Sequence, residues 1–174
     1  MRHLNHMKQR ISNLLLIGMP GAGKSTIGIM LAEQTSRHFV DTDALIEEAE
    51  GRSLQDIVDK DGYLELRRAE EEALLKLNVH DHVISTGGSA VYSAAAMEHL
   101  KAEATAVFLD VSLDTLEERI PNFSTRGLAK RPDQSFSELF AERNSLYRQY
   151  ADVTVKCDGL TAEEVCKNVI AATR

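Results

Sequence analysis

The chain has little of several residue types, and each shortage excludes a class of protein. Its 174 residues include no tryptophan, three prolines and only two cysteines, Cys157 and Cys166. Two cysteines without neighbouring histidines indicate neither a disulfide-stapled secreted domain nor a structural zinc site. No apolar run approaches the length of about twenty residues that a membrane-spanning helix needs. Basic residues are outnumbered, so the net charge of −7 argues against a nucleic-acid-binding surface. We therefore expect a cytoplasmic protein that binds neither membranes nor nucleic acid.

The composition that remains is typical of one globular domain, with 43% hydrophobic and 27% charged residues. Residues 1–13 carry scattered basic side chains but no apolar stretch long enough for a secretory signal, and we interpret them as a leader. Residues 14–174 are expected to form a single domain.

The most informative stretch is GMPGAGKST at 18–26, which fits the pattern G-x-x-x-x-G-K-[ST]. It follows a short apolar run and precedes a segment with helical spacing, which is the strand–loop–helix context of a phosphate-binding loop. Glycines let backbone N–H groups turn towards phosphate oxygens, and the helix that starts there adds the positive end of its dipole. The lysine supplies a charge for the β- and γ-phosphates, and the serine hydroxyl is a ligand for Mg²⁺. The predicted nucleotide-binding residues are Gly21, Ala22, Gly23, Lys24, Ser25 and Thr26.

Strand-like and helix-like segments alternate along the chain, with strands starting near residues 14, 39, 83, 105 and 152. This alternation predicts an α/β fold, a five-stranded parallel sheet with helices on both faces. Ligands of such sheets gather at the carboxyl ends of the strands, so 18–26, 41–43 and 87–89 are expected to face one cleft. The polar, broken segment from about 121 to 134 is interpreted as a mobile lid.

Asp41 and Asp43 follow the second predicted strand with one residue between them. Beside a phosphate-binding loop, one acid helps to hold Mg²⁺ while the other accepts the proton of the attacking hydroxyl. The alternative is that Thr42 and Asp43 cap the helix that follows.

Glycines and arginines supply the remaining candidates. Gly87 and Gly88 end the third strand, where they permit either close approach to a ligand or a plain turn. Arg126 and Arg131 lie in the predicted lid, where positive charge would reach the transferring phosphoryl group on closure; a disordered surface loop is the alternative.

The order of motifs along the chain resembles the shikimate kinase family. The matching segments are GMPGAGKST (18–26), FVDTD..IE (39–47), GRSLQDI (51–57), LRRAE (66–70), ISTGG (84–88), RP (131–132) and RNSLY (143–147). The resemblance spans nearly the whole chain and implies a P-loop kinase fold. It also implies a monomer that transfers the γ-phosphoryl of ATP to the 3-hydroxyl of shikimate, a step of chorismate and aromatic amino acid biosynthesis.

Roles for individual residues follow from the same resemblance. Lys24 and Ser25 would bind ATP and Mg²⁺, Asp41 would assist the metal, and Asp43 would hold the substrate hydroxyls and act as the base. Gly87 and Gly88 would lie along the substrate, whose carboxylate would be bound by Arg67 and Arg143, since guanidinium pairs with carboxylate in bidentate fashion. In the lid, Arg131 would reach the phosphate and Arg126 would lie over the adenine.

Three positions depart from the family pattern: Ser89 replaces a third glycine, Leu66 replaces a phenylalanine, and Asp133-Gln134 follow the lid proline. Two further hypotheses therefore remain at this point. One is a kinase for a related hydroxy acid or polyol, such as a gluconate-type enzyme. The other is a nucleotide-binding regulatory module without efficient catalysis.

Overall fold

The computed structural model describes residues 11–121 and 128–174. Across these two ranges the chain forms one parallel sheet of five strands in the order β2-β3-β1-β4-β5. The strands are β1 (Asn13–Ile17), β2 (His38–Asp41), β3 (His82–Ser85), β4 (Ala104–Asp110) and β5 (Val153–Lys156). The fold class predicted from the alternation of strands and helices is confirmed.

Helices connect consecutive strands, and one more helix follows β5. They are α1 (Lys24–Gln34), α2 (Thr42–Glu50), α3 (Leu54–Asp61), α4 (Tyr63–Lys76), α5 (Ala94–Lys101), α6 (Leu113–Arg119), α7 (Phe136–Tyr150) and α8 (Ala162–Ala172). A short 3-10 helix, Ala90–Tyr92, precedes α5. Since α1 packs against β3 and α8 while α5 packs against β4 and α4, helices cover both faces of the sheet.

Local sequence fixes where several helices begin. The side chains of Ser53, Ser93 and Ser112 accept hydrogen bonds from backbone N–H groups in the first turns of α3, α5 and α6. Ser135 and Thr161 form complete capping boxes with glutamates three residues later, which begin α7 and α8. Such caps satisfy backbone donors that a helix start leaves without intrahelical partners.

The central position of β1 places the phosphate-binding loop. Every residue of β1 is buried, and it pairs with β3 on one side and with β4 on the other. The chain crosses from β1 to β2 and β3 on one side, and later to β4 and β5 on the other. The carboxyl end of β1 therefore lies at the switch point where ligands of open parallel sheets bind.

The core is divided between the sheet and a smaller cluster beside it. The main cluster lies around β1, β3 and β4, and the second contains Ile46, Ile57, Leu66, Ala69 and Ala129. Through Ala129, the second cluster joins α2, α3 and α4 to the described part of the predicted lid. Cys157 and Cys166 are buried as free thiols. Among the described residues, no helix combines the length and apolarity needed to cross a membrane.

Candidate functional site

The phosphate-binding loop takes a shape that only glycine adopts readily at two positions. Gly21 and Gly23 have φ angles of 83° and 93°, and a Cβ on Gly21 would lie 2.6 Å from Cδ1 of Ile120. Gly23 also sits at the start of α1, which has neither a side-chain cap nor an acidic residue in its first turn. The N-terminus of α1 therefore keeps its partial positive charge for a bound phosphate group.

Lys24 is buried at the first position of α1. In this ligand-free structure its Nζ donates hydrogen bonds to the backbone oxygens of Gly18 (2.7 Å) and Met19 (2.8 Å). Burial lowers the pKa of Lys24 to about 8, against the opposing influence of the nearby carboxylate of Asp43. An anionic ligand would stabilise the charged form of this side chain.

Asp41 links the phosphate-binding loop to the end of β2. Its Oδ2 accepts a hydrogen bond from Oγ of Ser25 (3.3 Å), and its Oδ1 accepts one from the backbone N–H of Asp43 (2.9 Å). Asp41 is thus the N-cap of α2. The hypothesis that Thr42 and Asp43 cap this helix is wrong, because both residues lie within its first turn.

The Ser25–Asp41 pair has the ligand chemistry that Mg²⁺ prefers, a hydroxyl and a carboxylate oxygen side by side. Within 11–121 and 128–174, no group of three or more His, Cys, Asp or Glu side chains could hold a metal by itself. Mg²⁺ commonly completes its coordination with waters and substrate phosphates, so the pair fits a metal that arrives with a nucleotide.

A cavity of about 330 Å³ opens beside the loop. It brings together the phosphate-binding residues with groups from β3, α2, α4 and α7. Its polar lining includes Lys24, Ser25, Thr26, Asp43, Glu70, Ser85, Thr86, Ser89 and Arg143. Gly21, Gly23, Gly87 and Gly88 also line it, so most residues predicted from the sequence meet in one place.

Gly87 and Gly88 form one wall of this main cavity and have no room for a side chain. A Cβ on Gly87 would lie 2.5 Å from Oδ1 of Asp43 and 2.7 Å from Oε1 of Glu70. A Cβ on Gly88 would lie 2.6 Å from Nη1 of Arg143. Close approach of polar side chains, rather than a plain turn, therefore accounts for these two glycines.

Glu70 is a cavity residue that sequence reasoning missed. It belongs to an acidic run, Glu70–Glu72, a composition typical of a solvated helix face, yet it is only 3% exposed. Burial raises the pKa of Glu70 to about 7, although a hydrogen bond from Ser89 and the charges of Arg143 and Lys24 oppose that shift. The available signal was its spacing from Leu66, since residues four apart on a helix share a face.

Arg67 and Arg143 converge on the backbone carbonyl of Ala129. The Nη2 atoms donate to that oxygen over 3.2 Å and 3.3 Å. The Tyr92 ring lies 3.6 Å from the Arg67 guanidinium carbon and 5.5 Å from that of Arg143. Arg143 is 1% exposed and lines the main cavity, whereas Arg67 lies beyond its lining. Two guanidinium groups this close together favour an anionic ligand such as a carboxylate.

Of the two predicted lid arginines, Arg131 does not line this cavity. Arg131 is exposed and its Nη2 lies 3.8 Å from Oε2 of Glu142, which also accepts a hydrogen bond from Gln134. Arg126 lies outside the described residues, as does much of the predicted lid and most of the predicted leader.

A second cavity, of about 190 Å³, lies on the β5 side of the phosphate-binding loop. Arg119 borders it and donates to the backbone oxygen of Gly21 (3.1 Å). Its other lining residues are mostly apolar and include Ala22, Ile27, Leu160, Ala162 and Val165. A mostly apolar pocket with one cation suits a flat heterocycle such as a nucleotide base. No sequence motif includes Arg119, so its place beside this cavity is visible only in the structure.

Known proteins are similar to this chain in sequence and in architecture. A family model described as shikimate kinase matches residues 20–174. The shikimate kinase of Sulfurihydrogenibium sp. (strain YO3AOP1) is 37% identical over 92% of this chain and 96% of its own length. That of Mycobacterium avium (strain 104) is 39% identical over 90% of each protein.

Solved structures give the same result. The shikimate kinase from Acinetobacter baumannii in complex with shikimate superposes with a TM-score of 0.84 at 30% identity, covering 93% of this chain and 92% of that one. The enzyme from Aquifex aeolicus superposes with a TM-score of 0.78 at 34% identity, covering 92% and 95%.

Proposed function

The chain belongs to the shikimate kinase family, and we propose that it phosphorylates the 3-hydroxyl of shikimate with ATP through the residues assigned below. One observation carries this assignment. A single cavity joins a phosphate-binding loop, through Lys24 and Ser25, to a carboxylate and a buried guanidinium, those of Asp43 and Arg143.

The nucleotide occupies the loop and the cavity bordered by Arg119. Backbone N–H groups of 21–26 surround the phosphates, and Lys24 leaves the carbonyls of Gly18 and Met19 to bind the β- and γ-phosphates. Ser25 and Asp41 hold Mg²⁺, which when bound neutralises phosphate charge. The adenine occupies the mostly apolar pocket next to Arg119, with Arg126 as a second residue over the base.

The acceptor occupies the opposite half of the main cavity. Its carboxylate replaces the Ala129 carbonyl as the partner of Arg143 and Arg67, because a carboxylate offers two charged oxygens where the carbonyl offers one neutral oxygen. Its ring lies along Gly87 and Gly88, which leave the space that side chains would fill. This orientation points its hydroxyls at Asp43 and Glu70.

The chemical step is an in-line displacement. The oxygen of the 3-hydroxyl attacks the γ-phosphorus while Asp43 accepts the hydroxyl proton. The bond between the γ-phosphorus and the oxygen that it shares with the β-phosphate breaks. Lys24 stabilises the negative charge on the transferred phosphoryl group. Arg131 stabilises the same charge after it leaves Glu142 and binds the phosphate. The products are ADP and shikimate 3-phosphate.

We further propose that 14–174 act as one catalytic domain together with Asn13, in a monomeric, cytoplasmic enzyme of the chorismate route. The leader predicted at 1–13 is too long by at least one residue, because Asn13 is the first residue of β1. The balance of acidic over basic residues supports solubility without a nucleic-acid or membrane partner.

The deciding experiment measures ADP release from Mg·ATP with shikimate, with gluconate and with no acceptor. We expect release that depends on shikimate and saturates with it, and only background hydrolysis in the other two reactions. Dependence on gluconate would indicate the related-metabolite kinase. Tight ATP binding without dependence on shikimate or gluconate would support a nucleotide-binding module instead.

A further inference from the structure

Ser89 occupies the position where the family pattern has a third glycine, and its side chain is directed at one partner. It is 9% exposed, and its Oγ donates a hydrogen bond to Oε2 of Glu70. A glycine at this position has no side-chain hydroxyl that could donate to Glu70. The bond is therefore a property of this sequence and not of the glycine-rich pattern.

The other oxygen of Glu70 lies beside Gly87, in the wall of the main cavity. Among the described residues, Oε1 of Glu70 is buried without a hydrogen-bond partner. It lies 2.7 Å from the point that a Gly87 Cβ would occupy, and Oδ1 of Asp43 lies 2.5 Å from the same point. Two carboxyl oxygens thus converge on one side of Gly87, where the acceptor hydroxyls are expected.

We propose that Ser89 is a positioning residue for the acceptor: by holding Oε2 of Glu70, it keeps Oε1 directed at the acceptor hydroxyls beside Asp43. This inference rests on the proposed function, because it assumes that the acceptor lies along Gly87. The charged groups that act on Glu70 are Asp43, Lys24 and Arg143. Without Ser89, the carboxyl group is free to turn from Asp43 towards the two cations, which removes an oriented acceptor of hydrogen bonds from the site.

The kinetic test substitutes Ser89 alone. Ser89→Ala removes the donor and should raise KM for shikimate about tenfold, the effect of losing one oriented hydrogen bond to a charged group. KM for ATP should change little, because the phosphate-binding loop is untouched. The melting temperature should fall by roughly 2–4 °C, because Oε2 of the buried Glu70 loses its donor. Ser89→Thr keeps the hydroxyl and should restore KM for shikimate most of the way.

The chain offers a matched control in Ser93. Its Oγ donates to Oε2 of Glu71, so the same helix and the same loop are joined by a second bond of the same kind. Glu71 does not line the main cavity. Ser93→Ala should therefore lower the melting temperature, also because Ser93 caps α5, while leaving KM for shikimate unchanged.

A second readout does not depend on turnover. The titration of the Glu70 carboxyl carbon can be followed by ¹³C NMR in the acceptor-free enzyme. A hydrogen bond from Ser89 favours the ionised carboxylate, so Ser89→Ala should move the midpoint to higher pH. In a Glu70→Ala background, Ser89→Ala should have no further effect on KM for shikimate, because the group that it positions is gone.

Several outcomes would overturn the proposal. They are an unchanged KM for shikimate in Ser89→Ala, an equal increase of both Michaelis constants with a lower melting temperature, or a full Ser89→Ala effect without Glu70. Absence of shikimate-dependent turnover in the unsubstituted enzyme would count against the proposed function. In that case the Glu70 titration still decides whether Ser89 holds the carboxyl group, and an unmoved midpoint would reject it.

Discussion

At the scale of single residues, the proposed chemical step depends most on Asp43. Asp43→Asn preserves the shape of the side chain but removes the proton acceptor, so kcat should fall by about 10²- to 10⁴-fold. The dissociation constant for ATP should change little, since Asp43 lies on the acceptor side. ADP release measures the first quantity, and calorimetric titration measures the second.

Asp114→Asn is the matched control for this substitution. Asp43 and Asp114 are each an acidic residue in the first turn of a helix, α2 and α6. Both substitutions therefore lose the same kind of helix-dipole interaction, but Asp114 is exposed and does not line the main cavity. Normal turnover by folded Asp43→Asn protein would remove Asp43 as the base.

Lys24 makes a second prediction at this scale, because its pKa is lowered to about 8 by burial. Bound phosphates favour the ammonium form, so the pKa of Lys24 should rise when ATP binds. ATP binding should then take up about three quarters of a proton at about pH 8.5, and affinity should fall as pH rises above 8. Calorimetry in two buffers of different ionisation enthalpy measures this uptake.

Lys24→Arg supplies the control, because guanidinium stays charged throughout this pH range. Whatever its affinity, its binding should show no proton uptake linked to this position. Equal apparent enthalpies in both buffers for the unsubstituted protein would show that Lys24 is already charged before the nucleotide arrives.

At the residue scale, the structure brings together residues that local sequence order points to, and it adds residues that only burial reveals. GKST can be recognised in the sequence because the phosphate site is built from consecutive residues. The pair Asp41/Asp43 can be recognised because both residues follow directly on a strand. Glu70 was hidden in an acidic run, and only the packing of α4 against the glycine loop separates it from the exposed Glu71 and Glu72.

At the scale of elements, α7 and the loop after β3 are joined by Tyr147. Its side chain is 1% exposed, and its hydroxyl donates to the backbone oxygen of Gly88 over 2.6 Å. The bond fixes Gly88 relative to Arg143, which lies one helical turn earlier in α7. Both elements contribute to the acceptor half of the cavity.

Tyr147→Phe should lower the free energy of unfolding by about 1–2 kcal/mol, because it leaves a buried carbonyl without its donor. KM for shikimate should rise while KM for ATP stays the same. Urea unfolding and steady-state kinetics measure these effects. Tyr150→Phe, on the same helix but only half-buried, should change stability by less than about 0.5 kcal/mol. Equal effects of both substitutions would contradict the proposed link.

Element boundaries followed the sequence closely because caps and glycines mark them. Helix α2 ends before Gly51 in the left-handed conformation, as its glycine predicts, and Ser53 caps α3. The hypothesis that Thr42 and Asp43 cap α2 is wrong because Asp41 is both the last residue of β2 and the N-cap of α2. A residue with two such roles gives no separate signal for either.

At the scale of the whole molecule, the domain boundary can be tested by truncation. Oγ of Ser12 accepts a hydrogen bond from the backbone N–H of Asp81. The Asn13 side chain donates from Nδ2 to the backbone oxygen of Val79 and accepts on Oδ1 from the backbone N–H of His82. Asn13 therefore belongs to the sheet, and Ser12 is bonded to the segment just before β3. Removing 1–10 should leave stability and kinetics unchanged, whereas removing 1–13 should cost about 2–4 kcal/mol from the lost hydrogen bonds.

Thermal unfolding and ADP release of the two truncated proteins decide the boundary. A large loss on removing 1–10 alone would show that the leader contributes to the domain. Equal stability of the two proteins would show that the bonds of Ser12 and Asn13 contribute little.

The order of strands in the sheet has a consequence for how the chain folds while it is being translated. The strand that carries the phosphate-binding loop is made first, yet its two neighbours, β3 and β4, come much later in the chain. Pairing between segments so distant closes long loops and is slow. On the ribosome, β1 therefore has no strand partner until β3, which ends at Ser85, has emerged, and its other edge stays unpaired until β4, which ends at Asp110, has emerged. The nucleotide site is expected to form late in folding, although its loop is translated before four of the five strands.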